Sequence, residues 1–457
     1  MINNKNINNY FFVFIFAHLL IWTLVPSLTN INLPLDTIEA LAWGSNLDWG
    51  FNKHPPFSAF AVEFIFLIFG NEDWAYYFLS QIFVVISFAV IFKLSKEIFN
   101  DSTKAFVSVI LLEGILFYNF TTPEFNVNVS QMPFWALSAY LTWRCVKYDK
   151  TRDFLFLGIV IGCGILSKYL FLYLALCIKF YFIYLIFFKK RKIKLKNLFV
   201  TGPVALFVIT PHLIWLIENE FVTIFYGLER TGGNGDITDH IFLPILFLLK
   251  QISILIPFLI MVFFLLKKYK LKIQKNEKTV YLFFICILPV ILMFLTSAFM
   301  GAKIRTMWMT PFYLLIGILI IENFKEQINF KKINKFYYSF IFFFILSPLI
   351  YASVSIINEF KRTDYPGKEI ARLVQNKWDN NFINDIKIVV GDEWFAGNLS
   401  YHLDSRPKWT IELKRDEINF NESKGVIYTG NPKILKQICP GVFGTIKPVG
   451  YCMIGQK

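Results

Sequence analysis

Eleven apolar runs follow one another between residues 9 and 355, most of them long enough to cross a hydrocarbon layer, and they leave the chain few folds to adopt. Helices are the expected form, because a lipid-buried segment must satisfy its own backbone hydrogen bonds. The sequence therefore reads as a polytopic all-α membrane bundle. Approximate spans are 9–27, 75–93, 104–118, 128–146, 153–168, 170–188, 199–217, 241–266, 279–297, 306–322 and 334–355. The run 57–69 is only about two-thirds of an ordinary span, so it lies at the interface, re-enters, or forms part of a tilted crossing. The run 104–118 is short for the same reason. A first run, Tyr10 to Val25, without a small-residue cleavage pattern and followed by further spans, does not read as a cleaved leader.

A formal net charge of +14 would suit a nucleic-acid partner, but the basic residues sit mainly in short links between apolar runs. Those links are Lys189 to Lys196, Lys267 to Lys278 and Lys325 to Lys335, and cytoplasmic retention of positive charge explains them without nucleic acid. Eleven crossings from a cytoplasmic N-terminus place the C-terminus outside. After residue 360 the pattern changes. Short apolar strands such as "DIKIVVG" and "GVIYTG" alternate with polar segments and an expected helix, "PGKEIARLVQNKW". The expected organisation is a membrane domain over 1–360 and a small extracytoplasmic α/β domain over 361–457. Cys145, Cys163, Cys177 and Cys286 belong to the membrane region as apolar filling. Cys439 and Cys452 fall in the outer domain, where an oxidising compartment would let them form a disulfide.

This orientation gathers the polar residues on one face. Asp36, Glu39, Asp48, Lys53 and His54 fall in the first outer loop, "LPLDTIEALAWGSNLDWGFNKHPPF", and Glu124 falls in the second, "NFTTPEFNVN". Lys168 occupies the turn of "GILSKYLF"; His212, Glu218, Glu220 and Arg230 lie at or beyond the outer end of a later span; Lys303 and Arg305 lie in "MGAKIRTMW". Taken singly, each has an ordinary explanation. A loop acid is usually solvated, a lone Lys168 or Arg230 snorkels to headgroups, and His54 orients the turn at Pro55-Pro56. Asp36 is harder to dismiss, since it follows Pro34 at the mouth of the bundle and lies three residues from Glu39, on one helical face.

The first-loop stretch resembles the signature of integral-membrane glycosyltransferases that use polyprenyl-phosphate sugars, the group that includes protein O-mannosyltransferases and the aminoarabinose transferases of lipid A. "TTPEFNVNVSQMPFWAL", "GILSKYLFLYLAL", "PHLIWLIENEF" and "IRTMWMTPF" look like later landmarks of the bacterial branch in the same order, so the likeness runs from about Tyr10 to Ile320. The resemblance implies a GT-C-type fold in a bacterial inner membrane and a catalytic acid after the first span. Asp36 is the match. Some relatives place Asp and Glu side by side there, whereas this chain has Asp36-Thr37-Ile38-Glu39, which loosens the match of Glu39. Lys53-His54-Pro55-Pro56 matches more closely and implies that Lys53 contacts phosphate while His54 shapes the site.

The residue types suit that chemistry. Lys53, Lys168 or Arg305 would neutralise a phosphate leaving group, with Arg230 and Lys303 as further cations and His212, Glu124 and Glu218 as further site candidates. Asp36 would take the acceptor proton in a single, inverting displacement. The expected partners are a polyprenyl-phosphate sugar donor, membrane lipids, and lipid A or another envelope glycolipid as acceptor, with protein hydroxyls second. No cofactor is required; a divalent ion met by Glu39, Glu124 or Glu218 through folding stays open, although no metal-ligand spacing such as HExxH occurs among His18, His54, His212, His240 and His402. "RTGGNG" lacks the strand and helix of a nucleotide loop. The alternatives of another class are a lipid-linked sugar transporter or flippase, which would also bury charge in a bundle, and a lipid-sensing protein on the same scaffold. Paired halves with interrupted helices, the mark of many transporters, are not visible in the sequence.

Overall fold

The computed structural model describes residues 6–232, 236–267, 276–412, 424–446 and 449–457; most of the basic link 267–278 and the stretch Gly233-Asn234-Gly235 lie outside the described residues. Among those described, six uninterrupted helices are long and apolar enough to cross a membrane: Ile7–Thr29, Asp73–Phe99, Phe171–Phe188, Lys196–Glu218, Glu277–Met300 and Asn334–Ile357. Two bent pairs, Asp239–Ile254 with Ile256–Leu265 at 56° and Thr306–Tyr313 with Ile316–Phe324 at 53°, bring the number to eight if each is one span. Each bend has a proline beside it. Pro257 opens the second helix of the first pair and Pro311 lies within the first helix of the other, and each removes a backbone donor.

The three remaining expected spans are too short to cross as single straight helices of ordinary length. Met132–Tyr148 and Thr151–Ser167 have 17 residues each, about 25 Å of helix against a core of about 30 Å. The stretch 104–118 is not one continuous helix but a nine-residue helix, Ser102–Ile110, followed by two 3-10 turns, Leu111–Gly114 and Leu116–Tyr118. Packing accounts for the break. A Cβ at Gly114 would lie 2.6 Å from the Phe258 backbone, and neighbouring Glu113 turns to meet His18 of the first span at 3.0 Å with both side chains fully buried. The apolar run after Pro56 is a 13-residue helix, Phe57–Phe69.

Beyond the last crossing lies a five-stranded sheet: β1 (Ile388–Val390), β2 (Lys408–Thr410), β3 (Val426–Gly430), β4 (Val442–Ile446) and β5 (Val449–Ile454). Its order is β2-β1-β3-β5-β4, with β1 parallel to β2 and β3, and β5 antiparallel to β3 and β4. Helix Gly367–Asp379 carries an apolar stripe, Ile370, Ala371, Val374 and Trp378, buried at helical spacing. Cys439 is bonded to Cys452, tying the end of helix Pro432–Ile438 to β5.

The sheet domain is docked on the first loop of the bundle. Helix Phe395–His402 lies against helix Leu35–Gly44, and a Cβ at Gly397 would sit 3.1 Å from both Ala42 and Ile38. Arg406 crosses the same boundary, bonding Glu63 and the Leu41 carbonyl at 2.7 Å each while lying 4.2 Å over the Phe66 ring. Asn32 bonds Asn398 and Tyr401 bonds Asp73, both at 2.7 Å. At the other end of the bundle the basic links meet each other. Arg191 bonds the Val146 carbonyl at 2.8 Å and pairs with Glu277, Lys325 pairs with Glu322, Lys278 lies over Phe99, and Lys96 reaches Asn8 near the N-terminus.

Candidate active site

Pro34 precedes helix Leu35–Gly44 in extended conformation, and Asp36 lies in its first turn, where the helix dipole favours a negative charge. The second outer loop is laid across this helix start. Glu124 Oε1 accepts from the Asp36 backbone N–H at 3.1 Å, and the Thr37 hydroxyl donates to the Phe125 carbonyl at 3.1 Å. Asn126 then caps the short helix Val127–Ser130 by accepting from the Asn128 and Val129 N–H groups. Asn128 is thereby held where Lys168 Nζ, at the end of helix Thr151–Ser167, donates to its Oδ1. The same ammonium lies 5.1 Å over the Trp308 ring.

Glu124 and Asn128 line a cavity of about 390 Å³ together with Pro34, Leu35, Thr310 and Arg362. The Asp36 carboxylate beside it forms no side-chain hydrogen bond among the described residues, and it is raised above the ordinary aspartate range because burial outweighs Lys168, Lys53, Arg362 and Arg305 around it. Glu124 is raised too, by burial and then by the charge of Asp36.

Lys53 is not free. Its ammonium meets Glu39 at 2.8 Å and Glu393 of the sheet domain at 3.1 Å, and Asn52 bonds Glu393 at 2.8 Å. Burial pulls the lysine down, but the hydrogen bond and charge of Glu39, with Glu393, hold it above its ordinary value; burial holds Glu39 above its own. His54 closes the turn by accepting from the Phe51 N–H at 3.1 Å through its carbonyl, and its ring packs edge-on against Trp43 and Tyr226. Burial, then Lys168, Lys53 and Arg230, push this imidazole down to about 3, so it is neutral at physiological pH.

His212 acts as a strut for the loop. Its Nδ1 meets the Trp49 carbonyl at 2.6 Å, so that nitrogen carries the proton and Nε2 accepts from the Tyr169 hydroxyl at 2.7 Å. One turn on, Trp215 donates to Asp48 at 2.8 Å, and its ring lies so close that a Cβ on Gly50 would be 2.3 Å away. Of the side chains singled out from sequence, Glu124 lines the cavity, whereas Asp36, Glu39, Lys53, His54, Lys168, His212, Arg305 and the exposed Glu218 and Lys303 do not. Arg230 is exposed as well, stacked 5.8 Å over Tyr226. Among the described residues no group of three or more His, Cys, Asp or Glu side chains is placed to hold a metal ion.

Sequence reasoning missed Arg362 and Glu393. Arg362 stands just past the last span, in "NEFKRTDYP", a position that reads as ordinary headgroup contact. It reaches the site because the Ile31 and Asn32 N–H groups both bond the Thr363 carbonyl, at 3.0 and 2.9 Å. Glu393 carried no signal beyond its charge.

The architecture is a helical bundle with the acids and bases of several loops at one end, covered by a small sheet domain. Over nearly its whole length it matches ArnT from Cupriavidus metallidurans: bound to undecaprenyl phosphate, with a TM-score of 0.63, 11% identity, and coverage of 97% of this chain and 98% of that one; in the apo state, with 0.64, 10%, and 98% of each. The sequence profile of the dolichyl-phosphate-mannose-protein mannosyltransferase family matches residues 53–215. A curated relative, the lipopolysaccharide core galacturonosyltransferase RgtB of Rhizobium johnstonii, is 24% identical over 242 residues, which is 51% of this chain and 47% of that protein. The chain thus spans about half the length of the curated relative it matches.

Proposed function

We propose that this protein transfers a sugar from a polyprenyl-phosphate donor to lipid A or another envelope glycolipid at the outer face of a bacterial inner membrane. One observation carries the reading: an aspartate carboxylate without a side-chain partner, set among four cations beside a cavity at the end of a lipid-embedded bundle. In the proposed step the acceptor oxygen attacks the anomeric carbon, the bond from that carbon to the phosphate oxygen breaks, and polyprenyl phosphate departs. Asp36 takes the acceptor proton. Lys168, Arg305 and Arg362 carry the charge released on the phosphate, which is electrostatic assistance of the oxyanion-hole kind. A single displacement inverts the anomeric centre. Glu39 and Lys53, through Glu393, tie the sheet domain to the first outer loop, and His54 shapes that loop as a neutral ring packed on Trp43 and Tyr226. The acceptor named for the lipopolysaccharide relative favours a glycolipid; the protein mannosyltransferase profile over 53–215 keeps a protein hydroxyl as the second reading.

Purified protein in liposomes, supplied with polyprenyl-phosphate sugars and lipid A, should consume donor and yield glycosylated lipid by mass spectrometry. Movement of donor between leaflets without a new covalent product would replace the transferase with a flippase.

The same reading carries an expected topology. Asn8 of the first helix and the basic residues Arg191 and Lys325 share one end of the bundle, and the site with its sheet domain occupies the other, so positive-inside retention favours an outer site. Cysteines introduced at the exposed positions Lys303 and Lys192 should divide accordingly in intact cells. The first should react with an impermeant maleimide and the second only after permeabilisation; the reverse result would invert the protein.

The raised Asp36 also fixes the sign of the pH dependence. Its carboxylate must be ionised to accept a proton, and burial lifts its titration above the ordinary value of about 3.9. Activity toward a hydroxyl acceptor should therefore disappear on acidification at a higher pH than an exposed aspartate would give. An acid limb in kcat/KM at or below the ordinary value would contradict Asp36 as the base.

A further inference from the structure

The bundle end that carries the basic links contains a second and larger cavity, of about 1000 Å³, between helices Phe171–Phe188 and Glu277–Met300. Both walls leave α-helical geometry at the same level, as π-helical turns at Tyr184–Phe188 and Phe283–Ile287. Such turns widen the backbone, reorient side chains and recur at functional sites. Here they stand Tyr184 and Tyr181 against Phe284, with ring centroids 5.3 and 5.6 Å apart, as an aromatic wall.

The rim carries two cations, Lys189 and Arg191, and one acid, Glu277, and Asn276 and Thr279 add polar groups to the lining. Lys189 is exposed, lies 5.9 Å over the Tyr184 ring and makes no ion pair among the described residues. Arg191 bonds the Val146 carbonyl at 2.8 Å and Glu277 at 3.2 Å, which leaves part of its five-donor fork open. Thr279, also lining the cavity, has a buried hydroxyl with no hydrogen-bond partner. Phe187 and Phe188, 71% and 75% exposed, continue the apolar surface outward where lipid would lie.

We infer that this cavity holds the headgroup and upper acyl chains of one anionic phospholipid from the leaflet on the basic-link side, its phosphate between Lys189 and Arg191 and its chains along Tyr184, Phe283 and Phe284. Cations at the rim select the anion, aromatic walls take the chains, and basic clefts between spans on this side suit phosphate headgroups. The site lies at the end of the bundle opposite the sugar-transfer cavity, and no step of that reaction passes through it.

The test uses the full chain in liposomes containing a photoreactive phosphatidylglycerol, with no sugar donor present. Cross-linked peptides should concentrate in 181–191 and 279–284, and a matching zwitterionic phosphatidylethanolamine probe should label these peptides far less. Lys189→Glu, a change at an exposed side chain, should cut the phosphatidylglycerol adduct there by about tenfold, the scale of one charge-assisted contact. Excess inorganic phosphate should leave the adduct intact, because the chains contribute to binding; its displacement by phosphate would point to a free-anion site and overturn the lipid assignment. Labelling spread evenly around the apolar belt, equal labelling by the two lipids, or an unchanged adduct in the Lys189→Glu protein would each overturn it too.

Discussion

Asp36→Asn should lower transfer to a hydroxyl acceptor by roughly 10²–10⁴-fold, the usual scale for loss of a positioned general base. The substitution keeps the size of the side chain and removes its charge and basicity. The fold should tolerate it. The Asp36 carboxylate makes no side-chain hydrogen bond among the described residues, and the contact that fixes this helix start runs through its backbone N–H to Glu124. The remaining loss is the favourable charge at a helix N-terminus, roughly 0.3–1 kcal/mol. Donor binding should persist, since Lys168, Arg305 and Arg362 are untouched. An acceptor that is already an ionised phosphate needs orientation more than deprotonation and should show a smaller fall. Steady-state transfer with separately measured donor binding checks this, and near-normal turnover by the inserted variant would move the role to Glu39 or Glu124.

How much of this site was legible in the sequence depended on distance along the chain. Asp36, Glu39, Lys53 and His54 fall within one loop, and the order of apolar runs was enough to place that loop beside Glu124, Lys168 and Arg305. The links that cross more than 300 residues were not legible. Nothing local to Glu393 says that it meets Lys53, and nothing local to Arg362 says that Thr363 will pair with Ile31 and Asn32. Those contacts arise only once the sheet domain docks through Arg406 and Gly397. The crossings show the same division. Apolar composition located the long helices of the bundle, but it could not foresee that Gly114 packs on the Phe258 backbone and breaks the third run, because that contact depends on a partner about 140 residues away. His212 illustrates a different limit. Its position near the outer face was evident, whereas its use as a strut between Trp49 and Tyr169 required the geometry of both ring nitrogens.

The two cations that the sequence ranked together, Lys53 and Arg305, should behave differently. Lys53 is committed to Glu39 and Glu393, so Lys53→Ala removes the ammonium between two largely buried carboxylates and leaves Glu393 with Asn52 alone. Removing one member of a buried ion pair is destabilising; the discount for partial exposure is substantial here, and the expected sign is a loosened sheet domain and a lower melting temperature in detergent. Arg305 is half-buried, makes no ion pair with a described carboxylate, and its charge reaches both Asp36 and Lys168. Arg305→Ala should therefore leave the melting temperature nearly unchanged while transfer falls roughly 10²–10³-fold, the scale for one preorganised group aimed at developing charge. Because that charge develops as the phosphate departs, the loss should fall on kcat more than on donor KM. Arg305→Lys should recover part of the rate, since it restores a positive charge without the planar fork that holds two phosphate oxygens at once. Equal transfer rates for wild type and a well-folded Arg305→Ala protein would remove Arg305 from the phosphate site and leave Lys168 and Arg362 to carry the departing charge.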